Sequence, residues 1–302
     1  MAPHYLDKCH SQELDASVIP ERSRLYFLEP IAIGTPYVEG LVSYICRLAE
    51  AHHVSPGVLA KQEMLPSFRR THSVGGKTAY RVQDEGLKTS VSSFPTPKYR
   101  KNLNEYGLLS WQYIAGLEPL IMQSGLRSLT IPPWAEETAR PNQTIEFGRK
   151  LRSWCPECLR AWCDTNQPIY EPLIWSIAAA TVCPLHHQPL RSYCPHCQRT
   201  QLPISGRMQV GRCVHCQNWL NVQPEEPSEL ETLVVSEIDW HLWVTERVVE
   251  ILISNSIKAE TRDEIERVIY HGGQPQPDLT DLNTRQAQGI LLETCLQSLN
   301  KT

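Results

Sequence analysis

The hydrophobic pattern begins with two short helices in the first third of the chain. In the first, apolar residues recur every three or four positions, which predicts a helix with one buried face. These positions are Val38, Leu41, Val42, Ile45, Cys46, Leu48 and Ala49. In the second, Ser55 is a typical N-cap, Pro56 is a typical first helical residue, and we expect Pro66 to end the helix. Two short helices with a tight turn predict a helix-turn-helix-type helical domain.

Two further parts of the chain carry helical periodicity. Residues 108–121 predict a helix that Asn102 or Asn104 caps and that Gly116 interrupts. Residues 232–302 show apolar series typical of a helical C-terminal region. At 302 residues the chain has room for two or three modules. We therefore expect a mainly α protein with an N-terminal arm and a helix-turn-helix-type helical domain over residues 1–150, a tandem metal-binding region over 151–222 and an acidic helical C-terminal region over 223–302.

Residues 154–220 carry the chemistry of the chain, since four pairs of metal-ligating residues are spaced as C-x2-C or C-x2-H. Two such pairs supply the four ligands of a tetrahedral structural zinc, so four pairs predict two Zn²⁺ ions and small zinc-stabilised β modules. In sequential pairing the first ion takes Cys155, Cys158, Cys183 and His186, and the second takes Cys194, Cys197, Cys213 and Cys216. An interleaved pairing, or His187 in place of His186, is the alternative. Residues 201–204 and 208–210 are expected to form short strands.

The number of ligands argues for structural rather than catalytic zinc. A catalytic zinc keeps an open coordination position and has three protein ligands. Here each ion has four, and no His-x-Glu motif of the kind found in zinc deaminases precedes Cys155. We therefore predict a protein that is not an enzyme.

Charge is unevenly distributed although the net charge is only −4. Residues 1–150 carry a net +2, residues 151–220 a net +3 and residues 221–302 a net −9. An acidic segment repels phosphate backbones and suits a basic protein surface. The eleven cysteines, with no apolar leader and no run long enough to span a membrane, fit zinc-bound thiolates in a reducing cytoplasm.

The most basic segment is residues 61–101, where nine basic and three acidic residues are interleaved with aromatic ones. Such a mixture can bind nucleic acid through charge and stacking. The alternative is a solvated surface loop. The expected contacts to nucleic acid or to an effector complex are Arg69, Arg70, Lys77, Arg81, Lys98, Arg100 and Lys101.

Together these motifs resemble the TniQ family of multi-subunit transposons. The N-terminal signature of that family is matched by Pro36, Glu39, Ser43 and the run Arg47-Leu48-Ala49, and its Gly-Leu and Leu-Thr segments by residues 116–117 and 129–130. Its zinc motif, C-P-x-C…D…Y…W…V-C-P-x-H…L…C-P-x-C, is met by Cys155, Cys158, Asp164, Tyr170, Trp175, Cys183, His186, Leu190, Cys194 and Cys197.

The resemblance implies an adaptor for the choice of a transposition target. Members recruit an AAA+ ATPase regulator, and some dock on a CRISPR effector complex whose guide RNA pairs with target DNA. The acidic C-terminal region favours this effector-docked kind, whose members can act as dimers, and the resemblance therefore also implies a homodimer. The alternative is a TnsD-like protein that reads an attachment sequence directly.

Overall fold

The structure is a computed structural model that describes residues 22–71, 73–74, 77–78, 103–105, 108–131, 148–223, 235 and 237–253. These residues are mainly helical, with little strand. Six α-helices are described: α1 (Leu41–Ala51), α2 (Pro56–Leu59), α3 (Leu65–Thr71), α4 (Leu108–Ile121), α5 (Pro156–Asp164) and α6 (Ile238–Ile253). Short 3₁₀ helices cover Leu126–Leu129 and Leu173–Ser176, and β1 (Ser73–Val74) pairs antiparallel with β2 (Lys77–Thr78).

The second predicted helix runs past Pro66, so the expectation that this proline ends it was wrong. Ser55 caps α2 by accepting a hydrogen bond from the Val58 N–H, as predicted. A π-helical stretch, Ala60–Met64, then joins α2 to α3. A π turn lengthens the hydrogen-bonded loop, and Leu65 donates to the carbonyl of Ala60. Because this irregular turn directly precedes Pro66, the missing N–H of the proline does not end the helix.

Helix α4 continues through Gly116, where the sequence predicted a break. The glycine serves packing instead, since a Cβ at this position would overlap the backbone carbonyl oxygen of Met64. α4 therefore crosses the π-helical stretch at backbone contact distance.

Asn104 caps a helix, but it is α1 rather than the helix that follows it. Its Oδ1 accepts a hydrogen bond from the Val42 N–H at 2.9 Å, and its Nδ2 donates to Ser176 Oγ at 2.7 Å. The N-terminus of α1 is thus satisfied by a residue 62 positions later in the chain.

One hydrophobic core runs through the helices and the metal-ligand region. Tyr44 and Ile45 of α1, Leu117 of α4 and Trp154 are all almost completely buried in it. Val244 and Val248 attach α6 to the same core. Within the described ranges, no helix combines the length and apolar character needed to cross a bilayer.

Several predictions fall partly or wholly outside the described residues. Residues 1–21 of the N-terminal arm, most of segment 61–101 and the C-terminal helices predicted beyond residue 253 lie outside them. The strands expected over 201–204 and 208–210 were wrong, because these residues form turns and irregular backbone.

Candidate metal centres and their joint with the helical domain

Four ligand side chains from two segments meet in the first cluster. Cys155 is the N-cap of α5 and Cys158 lies in its first turn, while Cys183 and His186 lie on a tight turn. Cys158 Sγ is 3.6 Å from Cys183 Sγ and 3.3 Å from His186 Nδ1. The same Nδ1 is 3.5 Å from Cys155 Sγ and 3.7 Å from Cys183 Sγ.

These separations fit a tetrahedral metal site. With Zn–S bonds of about 2.3 Å and Zn–N bonds of about 2.0–2.1 Å, the edges of a regular tetrahedron are about 3.8 Å between sulfurs and about 3.6 Å between sulfur and nitrogen. The observed distances lie close to both values, so the first cluster could hold one metal ion.

The second cluster contains four cysteines from two turns. Cys194 Sγ lies 3.6 Å from Cys216 Sγ, and Cys197 Sγ lies 3.7 Å from Cys213 Sγ. All four sulfurs lie within 4.8 Å of one another. A closed set of four thiolates suits a structural zinc, so this cluster could hold a second ion.

The grouping that the structure shows is the sequential one. His186 places its Nδ1 among the sulfurs, whereas His187 belongs to neither cluster. Cys163, one turn of α5 further on, and Cys46, buried in α1, also lie outside both clusters.

Three of the four ligand pairs share one backbone turn. In each, the residue after the second ligand donates its N–H to the carbonyl of the first cysteine, at 2.8–3.0 Å. That residue adopts a left-handed φ: 51° at His187, 57° at Gln198 and 61° at Gln217. An isolated antiparallel bridge closes each turn, at Val182–Pro189, Tyr193–Thr200 and Arg212–Trp219. We call these three turns the knuckles. The remaining pair, Cys155 and Cys158, uses a helix N-terminus instead.

A hydrogen-bond chain surrounds the first cluster. Gln188 Nε2 donates to Cys155 Sγ at 3.2 Å. Gln223 in turn donates to Gln188 Oε1 at 2.8 Å and to Glu157 Oε1 at 3.1 Å. Such outer contacts fix the orientation of a metal ligand, and no sequence motif indicated Gln188 or Gln223.

The thiols of the first cluster influence one another's ionisation strongly. Hydrogen bonds from the Cys158 and Cys183 thiols lower the pKa of Cys155 to about 2. Hydrogen bonding to Cys155, together with burial, raises the pKa values of Cys158 and Cys183. A bound dication would supply the charge that deprotonates all three thiols.

Arg152 connects two segments of the region that contains the clusters, one that carries Glu171 and one that carries the second cluster. It pairs with Glu171, donates to Gln201 Oε1 at 3.0 Å, and donates to the carbonyls of Arg212 and Gln209 at 2.7 and 3.1 Å. A guanidinium has five N–H donors in a fixed fork, and here both sides of the fork are used. Arg152 thus holds the second cluster against the segment that carries Glu171.

Glu171 extends this connection to the helical domain. Its backbone N–H donates to Ser43 Oγ at 3.0 Å, and its carbonyl accepts from the Gly40 N–H at 3.0 Å. We call this set of contacts, from α1 through Glu171 to Arg152, the joint. Sequence reasoning missed both Glu171 and Arg152, because neither belongs to a motif with a known spacing.

The signature residues at the start of α1 form a buried charged network. The Glu39 carboxylate is fully buried, and it accepts from Ser43 Oγ at 2.7 Å, Arg47 at 2.6 Å and the Ile31 N–H at 3.2 Å. Burial raises the pKa of Glu39, while Arg47, Ser43 and the Ile31 N–H act in the opposite direction. Glu39, just before α1, and Ser43 and Arg47 within it are spaced four apart, so Ser43 and Arg47 lie on the same face of the helix.

Part of the predicted basic contact surface can be located. Arg69 and Arg70 lie exposed near the end of α3, and Lys77 lies in β2. Arg81, Lys98, Arg100 and Lys101 lie outside the described residues. The role of this segment stays a prediction.

The model of one protein family, described as TniQ, matches residues 30–190, which is just over half of the chain. The match contains the signature helix, the joint and the whole first cluster. No curated protein matches the chain.

Proposed function

The chain belongs to the TniQ family, and from this premise we propose that it is the adaptor that links an RNA-guided CRISPR effector complex to the AAA+ ATPase regulator of a transposon. Family membership itself ties the protein to target selection in transposition, in which TniQ is a non-catalytic accessory domain. What we propose beyond family membership is that the chain docks on a CRISPR effector complex and on the AAA+ ATPase.

The observation that carries the proposal is the joint. An adaptor must hold its two docking surfaces in a fixed relation, so its modules have to be rigidly connected. Ser43 of the signature helix, the backbone of Glu171 and the guanidinium of Arg152 make a continuous chain of short contacts from α1 to the second cluster. This arrangement supports a rigid body rather than two modules on a flexible linker.

The metal centres support a structural role within such an adaptor. Each cluster brings four ligands of its own together, which is the composition of closed structural zinc sites. We propose that both bind Zn²⁺ and that the ligands are the eight residues named above.

Charge supports docking on a protein complex over direct reading of DNA. Residues 221–302 carry a net −9, which opposes contact with phosphates and suits a basic protein surface. We further propose that two copies form a homodimer, which light scattering of the purified protein tests.

The test is co-purification with a reconstituted effector complex. We expect the tagged chain to elute with the effector, guide RNA and target DNA, and to retain the ATPase on the same target. Exchanging the guide sequence should move the chain to the new target without any change in the chain. Binding that follows the guide supports the adaptor, because base pairing then supplies the specificity.

The contrary outcome is direct sequence recognition. If the chain alone bound one duplex about a thousandfold more tightly than unrelated duplexes, and ignored the guide, the TnsD-like alternative would replace the adaptor.

A further inference from the structure

The two clusters differ in which of their ligands solvent reaches. In the first cluster all three cysteines are at most 2% exposed, and the exposed ligand is the imidazole of His186. In the second cluster Cys194 and Cys213 are completely buried. Cys197 and Cys216 are partly exposed, so here solvent reaches thiols rather than an imidazole. Oxidants attack cysteines according to their accessibility and thiolate character, which makes the second cluster the more vulnerable one.

Each partly exposed cysteine of the second cluster lies beside a buried cysteine on the opposite knuckle. Cys216 Sγ is 3.6 Å from Cys194 Sγ, and Cys197 Sγ is 3.7 Å from Cys213 Sγ. An S–S bond is about 2.05 Å long, so each pair has to close by about 1.6 Å, which rotation of the side chains supplies. An accessible thiol next to a second thiol is the arrangement of a redox-sensing cysteine and its resolving cysteine.

The first cluster lacks this complete pairing. Its three thiols are an odd number, because the fourth ligand is His186. Cys158 Sγ lies 3.6 Å from Cys183 Sγ, but a disulfide between them would leave Cys155 without a thiol partner in the cluster. The four thiols of the second cluster pair off completely.

We propose that the second cluster is a reversible redox switch on which peroxides act. A peroxide oxidises the Cys197 and Cys216 thiolates to sulfenic acids, and the thiolates of Cys213 and Cys194 displace hydroxide from them to form two disulfides. Each peroxide takes two electrons from one pair of thiolates as its O–O bond breaks, and two hydroxide ions are produced. Disulfide sulfurs no longer carry the negative charge that holds a metal ion, so the site releases its zinc.

The switch is connected to the joint on both sides of Cys213. The Arg212 carbonyl, just before it, accepts a hydrogen bond from Arg152 at 2.7 Å. The Val214 N–H, just after it, donates at 2.9 Å to Gln201 Oε1, which also accepts from Arg152 at 3.0 Å. Movement of Cys213 into a disulfide therefore changes the contacts by which Arg152 holds the second cluster. The inference rests on the proposed zinc sites and is independent of effector docking.

The test follows zinc release from the full chain during treatment with hydrogen peroxide. The chain is loaded with zinc, its metal content is measured, and released zinc is read with a colorimetric chelator. We expect the ion of the second cluster to leave first and the other to leave on the order of tenfold more slowly, because the thiols of the first cluster are buried. Without peroxide the chain should keep both ions.

Peptide mapping by mass spectrometry, after alkylation of free thiols, identifies the cluster that has lost its ion. It should find the disulfides Cys194–Cys216 and Cys197–Cys213. Reduction with dithiothreitol in the presence of zinc should restore the second ion, because a disulfide is reversible whereas higher oxidation states of sulfur are not.

The matched variant is Cys197→His/Cys216→His, which gives the second cluster imidazoles as its exposed ligands, like His186 in the first. Two cysteines and two histidines also make a closed zinc site, and we expect it to lose zinc to peroxide no faster than the first cluster does. Cys163→Ser is the control, since it removes a partly exposed thiol that lies outside both clusters. It should release zinc as the unsubstituted protein does.

Three outcomes would overturn the switch while leaving the zinc sites in place: release of both ions at one rate, earlier release from the first cluster, or disulfides within one knuckle. A second cluster that holds no zinc before peroxide is added would overturn the zinc site and the switch together. If the histidine variant does not hold zinc, the order of release and the disulfide map of the unsubstituted protein decide.

Discussion

Arg152 and Glu171 form an ion pair inside the protein, with 2% and 13% of their side chains exposed. Removing one partner of a buried pair leaves an uncompensated charge, which costs about 3–5 kcal/mol. We therefore expect Arg152→Ala to lower the free energy of unfolding by about 3 kcal/mol or more in urea melts of the zinc-loaded protein.

Two variants test whether the geometry of Arg152 matters as well as its charge. Arg152→Lys keeps the charge but loses the fork, so it should recover only part of the stability. Arg160→Ala removes an exposed arginine and should cost less than about 1 kcal/mol. Equal costs for Arg152→Ala and Arg160→Ala would show that the joint does not stabilise the protein.

The crossing of α4 over the π-helical stretch depends on Gly116. Ala is ordinarily the better helix former by about 1 kcal/mol. Here its Cβ would overlap the Met64 carbonyl, and overpacking costs about 1–3 kcal/mol, so we expect Gly116→Ala to destabilise the protein. Ala115→Gly, at the neighbouring position, should cost only the helix propensity. Thermal melts compare the two, and a stabilised Gly116→Ala protein would contradict the close crossing.

The zinc content of single-cysteine variants tests whether each cluster binds one ion independently of the other. We expect two zinc ions per chain by elemental analysis, and one after either Cys183→Ala or Cys213→Ala. Cys163→Ala is the control and should keep two, because Cys163 lies outside both clusters. Zinc contributes on the order of 10–16 kcal/mol to the folding of structural sites, so removal by a chelator should unfold the region. A full far-UV spectrum and unchanged melting after metal removal would contradict a structural role.

The left-handed residues of the knuckles offer a stabilising change. An L residue in this conformation costs about 1–2 kcal/mol, whereas glycine costs about 0.5–1 kcal/mol in chain entropy. We expect His187→Gly, at φ 51°, to be more stable by about 0.5–1 kcal/mol. Arg199→Gly, which follows a left-handed residue but is not one, should lose stability. Urea melts measure the free energy of unfolding of both variants, and a His187→Gly protein less stable than the unsubstituted one would contradict the prediction.

Docking of α6 should depend on pH through His241. Its Nδ1 lies 2.8 Å from Thr181 Oγ1, the residue is fully buried, and burial lowers its pKa to about 4. The unfolded value is about 6.5, so the unfolded state binds more protons between these values. This contribution is therefore complete above pH 6.5 and is lost as the pH falls towards 4, by up to about 3 kcal/mol.

Hydrogen exchange of the α6 amides at pH 5 and pH 7 measures this effect. His241→Gln cannot titrate and should show a smaller change between the two pH values. Acid release of metal affects both proteins alike, so their difference isolates the histidine. An identical pH dependence in the two proteins would exclude His241 as the cause.

The sequence by itself determined the family and the two sets of four residues that could hold a metal ion. Zinc requires specific side chains at short spacing, so the ligand pairs are visible in a few residues. The helical face of α1 was equally readable, because the period of a helix is local. The capping residue Ser55 is local too, and it was predicted correctly.

Only the tertiary structure decided how these parts are connected. Asn104 caps a helix 62 residues away, and Arg152 reaches carbonyls 57 and 60 residues further along the chain. Gly116 resembled a helix break in sequence, but it lies inside α4 and leaves room for the Met64 carbonyl of the adjacent π-helical stretch. Such contacts depend on which surfaces meet after folding, and a hydrogen bond between distant residues leaves no periodic signal in the chain. The residues of the two candidate metal clusters were therefore predictable from sequence, whereas the joint that connects them to the helical domain was not.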